Sequence, residues 1–72
     1  MNTIPFELKE EFIPLIQLLK YTGVAETGAH ASELVVDGLV LCDGQPETRK
    51  RYKVRKGDTI SVDSITIIVE WI

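Results

Sequence analysis

The chain carries one cysteine and one histidine in 72 residues. A lone thiol cannot close an intramolecular disulfide. One Cys and one His cannot complete a four-ligand structural zinc site either, so stability must come from packing alone. With a single His30, spacing supports no histidine–carboxylate–serine arrangement for nucleophilic catalysis. No glycine-rich phosphate loop of the Walker or dinucleotide type is present. Long apolar runs are missing as well; Lys20, Asp37 and Glu70 interrupt the longest ones, and none reaches the length of a membrane span. Residues 1–7 lack the basic start and apolar core of a secretory signal. These absences lead to an expectation of a cytoplasmic, monomeric, non-catalytic protein with no metal, cofactor, small-molecule substrate or membrane partner. The length fits a single small domain over residues 1–72 with a modest core.

Hydrophobic residues make up 44% of the chain, enough for a folded domain and too many for a disordered tail. Residues 4–8 alternate apolar and polar, but Pro5 confines them to an edge strand or coil. Phe12, Leu15, Ile16 and Leu19 recur at helical spacing and predict a helix over residues 11–21. Pro14 fits that helix only in its first turn, and Gly23 fits a left-handed position just past its end. Thr27 is placed to cap a second helix, with Ala31, Leu34 and Val35 on its apolar side and Gly38 past its end. A connection of roughly four residues makes the helices close neighbours.

Residues 39–42 read as a strand. Asp43-Gly44 is a hairpin signal, because a type I′ turn needs positive φ at both positions. Pro46 belongs at an edge. Residues 56–58 turn, residues 59–62 alternate, Asp63-Ser64 turns again, and residues 65–71 alternate, which predicts a closing hairpin with Trp71 in the core. Helix, helix, then strands gives an α+β domain: two packed helices followed by a small, mainly antiparallel sheet. Cys42, beside a turn, reads as a packing residue.

Charge is the most informative property. Residues 49–56 hold six of the eight lysines and arginines and no acidic residue, although the chain has a net charge of −3. The remainder holds two basic against eleven acidic side chains, a balance of −9. A basic surface on an acidic body attracts polyanions and favours one orientation of approach. In an extended conformation Tyr52 and Val54 would face the core, and Arg49, Arg51, Lys53 and Arg55 would face solvent. Eight extended residues reach at most about 26–29 Å, enough to follow several phosphates. Arginine adds planar bidentate donors suited to phosphate. No neighbouring acidic run is expected to neutralise these cations. His30 reads as a surface residue able to reach a phosphate.

The order of signals over residues 15–62 resembles the S-four-type RNA-binding domain. Leu15, Leu18 and Leu19 lead to Gly23; a capped helix with Ala31 and Leu34 ends at Gly38; then come Val40, Asp43-Gly44, Val54 and Gly57-Asp58 with Ile60. More specifically, Thr27-Gly28-Ala29-His30-Ala31 with Asp43-Gly44-Gln45-Pro46-Glu47-Thr48-Arg49-Lys50-Arg51 resembles the small stand-alone bacterial YbcJ-like subgroup. The resemblance implies an αL motif, in which two helices and a following hairpin loop present a surface to structured RNA, with a ribosomal RNA or ribosome-associated role. It departs at Gly28, where many members carry arginine, which shifts the binding role onto the loop. The expected RNA contacts are Arg49, Lys50, Arg51, Lys53, Arg55 and Lys56, with Lys20, His30 and Thr48. Two other classes fit less of the chain: a module docking its basic strand on an acidic protein, and a β-grasp carrier, which would need a terminal Gly-Gly that is not here.

Overall fold

The computed structural model describes residues 2–71. Seven strands and two helices run β1 (Asn2–Leu8), β2 (Ile13–Pro14), α1 (Leu15–Tyr21), α2 (Gly28–Val36), β3 (Val40–Cys42), β4 (Gln45–Pro46), β5 (Lys53–Val54), β6 (Thr59–Val62) and β7 (Ile65–Trp71). Five strands form one sheet in the order β1-β7-β6-β3-β4, and β2 pairs with β5 in a separate two-stranded sheet. The class is α+β, as expected, with one correction to the order. The first strand precedes the helices and pairs parallel with the last, from Asn2 opposite Ile65 to Leu8 opposite Trp71. Parallel partners need a long crossover, and here the crossover is the rest of the described chain. Pro5 sits in β1 at the sheet edge, where its missing N–H breaks no ladder.

The first helix is shorter than residues 11–21. Pro14 is its N-cap, with ψ 139°, so the backbone is still extended there. Ile13 pairs with Val54 and Pro14 with Lys53, which takes Phe12 out of the helix. Pro14 offers no side-chain cap. Instead the free amide of Leu15 donates to the Tyr52 carbonyl at 2.9 Å, satisfying one of the orphan donors of a helix start. The basic segment is therefore tied to the first turn of α1.

The second helix begins as its sequence predicts. The Thr27 hydroxyl accepts from the His30 amide at 3.0 Å. Gly23 and Gly38 follow the two helices with φ of 81° and 74°, the left-handed conformation that ends a helix and costs glycine nothing. The turn after β3 has positive φ at both Asp43 (51°) and Gly44 (87°).

One cluster forms the core. Leu15, Leu18, Leu19, Ala31 and Val35 of the helices join Val40, Ile60, Val62, Ile67 and Val69 of the large sheet, and Val54 of the small one. Alternation along β6 and β7 buries Ile60, Val62, Ile67 and Val69 and leaves Ile68 exposed, the period-two pattern of a sheet with one covered face. The side chain of Trp71, expected in this core, lies outside the described residues.

Candidate nucleic-acid interface

Residues 49–56 do not form one extended strand. The Tyr52 amide donates to the Arg49 carbonyl at 3.2 Å, so the chain turns at Lys50 and Arg51. Only Lys53 and Val54 are in a strand. The two-faced alternation predicted for the segment is thus replaced by a turn, and all six cations are exposed. Val54 is fully buried and Tyr52 packs partly against the core cluster, so these two residues do anchor the loop to the core.

The flanks of the loop are fixed by backbone bonds. The Glu47 amide donates to Val40 of β3 at 3.0 Å, and the Gly57 amide donates to Val69 of β7 at 2.9 Å. Gly57 has φ 89°, which lets the chain turn back toward β6. The Asp58 carboxylate accepts the Arg55 amide at 2.9 Å, and the Asp58 amide donates to the Arg55 carbonyl at 3.1 Å. Bonds to β3, β7 and the start of α1 therefore hold the segment.

The cations differ in their surroundings. Arg49 donates through Nε to Glu47 Oε2 at 2.9 Å and through Nη2 to Oε1 at 3.1 Å. Its backbone amide also donates to Oε2, at 3.0 Å. The sequence shows no acidic run beside these cations, but a single acid is enough at this position: Glu47 holds Arg49 in a bidentate pair, the strong form of charge-assisted hydrogen bonding. These bonds hold the Glu47 carboxyl below the usual carboxylate range and push the Arg49 guanidinium further up. The guanidinium also lies 5.3 Å from the Tyr52 ring centre, within cation–π range. The Arg49 side chain is 73% exposed while that of Glu47 is 14% exposed, so the pair faces solvent through its cationic half. Lys53 Nζ lies 5.0 Å from the centre of the Phe12 ring, which leaves its charge uncompensated by that contact.

Thr48, Arg49, Lys50, Arg51, Lys53 and Arg55 line one open depression of about 800 Å³, together with Tyr52 and Asp58. The structure thus brings six of the nine expected contact residues to a common surface. Lys56 is exposed nearby in the turn before Gly57 but does not line this depression. Lys20 and His30 stand elsewhere. Lys20 is in the last turn of α1, whereas the loop meets the first, a separation of about one short helix, ~10 Å. A methylene of the Lys20 side chain would lie 3.9 Å from a Cβ built on Gly28, so Lys20 adjoins the position where arginine was expected. His30 also supports the start of its own helix, because its Nδ1 accepts the Glu26 amide at 3.3 Å. Together with the Thr27–His30 bond, this is a reciprocal arrangement like a capping box, except that the imidazole accepts from the amide of the residue before the N-cap.

Glu47 is the residue that charge counting missed. Its signal was an acid two positions before the first arginine, but only the turn geometry shows that it folds back on that arginine. Cys42 behaves as the packing reading expects. Burial, and then the Glu47, Asp58 and Asp43 carboxylates, push its thiol up to about 11, which disfavours the reactive thiolate. Among the described residues no group of three His, Cys, Asp or Glu is arranged to hold a metal, and no helix is long and apolar enough to cross a membrane.

Comparison with known proteins identifies the family. The family model described as S4 domain matches residues 6–70. YbcJ from Escherichia coli K12 is 43% identical over 53 residues, covering 74% of this chain and 76% of that protein. The small ribosomal subunit protein eS4 from Sulfurisphaera tokodaii is 47% identical over 66 residues, 88% of this chain but 26% of that longer protein. The solution structure of E. coli YbcJ, which reveals an αL motif involved in RNA binding, superposes with a TM-score of 0.64 at 37% identity, covering 94% of this chain and 87% of YbcJ. With most of its length matched by the family model and by a relative of similar size, the chain belongs to the S4 domain family.

Proposed function

We propose that this protein is a non-catalytic, single-domain binder of structured RNA, with a ribosomal RNA or ribosome-associated role. The observation that carries this reading is the clustering of exposed Lys50, Arg51, Lys53 and Arg55 around one depression, on a backbone bonded to β3, β7 and α1. Phosphate contacts supply most non-specific affinity for nucleic acid and make it salt-dependent. RNA helices display phosphates, shape and 2′-hydroxyls more accessibly than base sequence. The loop therefore recognises the backbone of a folded RNA, with Arg49, Lys56 and Thr48 at its margins. Lys20 and His30 extend the surface toward the junction of the helices. Similarity to YbcJ, whose motif is involved in RNA binding, and to a ribosomal protein supports the same class of ligand.

Ultraviolet cross-linking of the tagged protein in cells, followed by sequencing of attached RNA, tests this. Enrichment of defined RNA segments, lost when Lys50, Arg51, Lys53 and Arg55 are replaced together by alanine, is the expected result. Partners that survive RNase treatment with no RNA enriched would instead identify a surface that docks on acidic proteins.

A further inference from the structure

A second depression, of about 320 Å³, adjoins the basic loop and is lined by Phe12, Pro14, Gln17 and Tyr21 among others, with three charged residues, Glu7, Lys9 and Glu10. Its size is at the lower end of the roughly 300–1,000 Å³ range of small-ligand sites. The two depressions meet at Lys53, which lines the basic one and places its ammonium over the Phe12 ring of the other. Tyr21 is 66% exposed, the most exposed large hydrophobic residue of the described chain. An aromatic ring left in water, in a groove that adjoins a cationic surface, offers a face on which a base can stack.

We propose that this groove receives an unpaired nucleobase of the same RNA whose phosphates lie on the basic loop; the inference rests on the RNA-binding reading above. Charge selects the part of the nucleotide that enters. Glu7 and Glu10 outnumber Lys9 in this lining, so the groove is net negative and disfavours phosphate, and the backbone stays on the cationic side of Lys53 while the neutral base crosses it. Tyr21 supplies the stacking face and Pro14 an apolar wall. The exposed Gln17 amide offers both a donor and an acceptor to a base edge, and the carboxylates accept from exocyclic amino groups. The preferred RNA is accordingly a stem with an adjoining loop or bulge, where bases are already unstacked.

The test compares a blunt RNA duplex with an RNA hairpin carrying an adenosine-rich loop, matched in phosphate count, by fluorescence anisotropy at low salt. The hairpin is expected to bind tighter by about 5- to 150-fold, the range that stacking one base on an aromatic ring is worth. Tyr21→Ala should bring hairpin binding to the duplex level without changing its salt dependence, and Tyr21→Phe should restore the preference. Because Tyr21 is exposed, its removal leaves the core intact, which a matching far-ultraviolet circular dichroism spectrum verifies. Equal binding of both RNAs by the wild-type protein, or a preference that survives Tyr21→Ala, overturns the base groove while leaving RNA binding by the loop standing. Failure to bind either RNA overturns both.

Discussion

Replacing Glu47 with glutamine removes one negative charge from beneath Arg49 and keeps the shape of the side chain. In the native loop Arg49 is engaged by the bidentate carboxylate, so Lys50, Arg51, Lys53 and Arg55 are the lining cations that stand outside this ion pair. Four phosphate contacts give a slope of log affinity against log salt of about −2.8 to −3.6, at roughly 0.7–0.9 per contact. Between about 50 and 200 mM salt the native protein should then lose about 50- to 150-fold in affinity. Glu47→Gln releases a fifth cation, steepens the slope to about −3.5 to −4.5, and tightens binding at the lower salt. Arg51→Ala should flatten the native slope by about one contact, whereas Arg49→Ala should change it less. Anisotropy titrations of one structured RNA across a salt series measure all four slopes. Equal flattening by Arg49→Ala and Arg51→Ala, with no effect of Glu47→Gln, would refute the idea that the carboxylate withholds Arg49. The pH dependence has a definite sign. A carboxyl held below its usual range keeps its contribution above that range and loses it only as pH falls through the lowered value. In a His30→Gln background, which removes the single imidazole of the sequence, the slope should therefore be the same at neutral pH as at a mildly acidic pH of about 5.

Two further outcomes check the framework that presents the loop. Thr27→Ala removes the acceptor of the His30 amide and should cost about 0.5–2 kcal/mol in urea unfolding, with Thr27→Ser close to native. Cys42, with its thiol pushed up to about 11, should react slowly with iodoacetamide at mildly alkaline pH in the folded protein and markedly faster in urea; equal rates would mean that the strand does not shield it.

The linear sequence determined whatever depends on neighbours along the chain. Thr27 caps because a hydroxyl at that position reaches the third amide of the helix. Asp43-Gly44 turns and Gly23 and Gly38 end helices because the left-handed conformation has few tenants. Alternation in residues 59–62 and 65–70 set which side chains entered the core, and the concentration of cations in residues 49–56 was countable. Tertiary structure decided what depends on partners far away. The parallel pairing of β1 with β7 joins opposite ends of the described chain, and no local pattern encodes a partner that distant. Pairing of Ile13 with Val54 drew residues 12–14 out of the predicted helix, since the strand bond and the Tyr52 carbonyl satisfied groups that another helical turn would have used. The same attachments set Lys53 over Phe12, while the Glu47–Arg49 pair, only two residues apart, depends on the turn geometry between them. Charge is inherited from composition, but which charges remain available, and what lies beside them, is settled only when the chain folds back on itself.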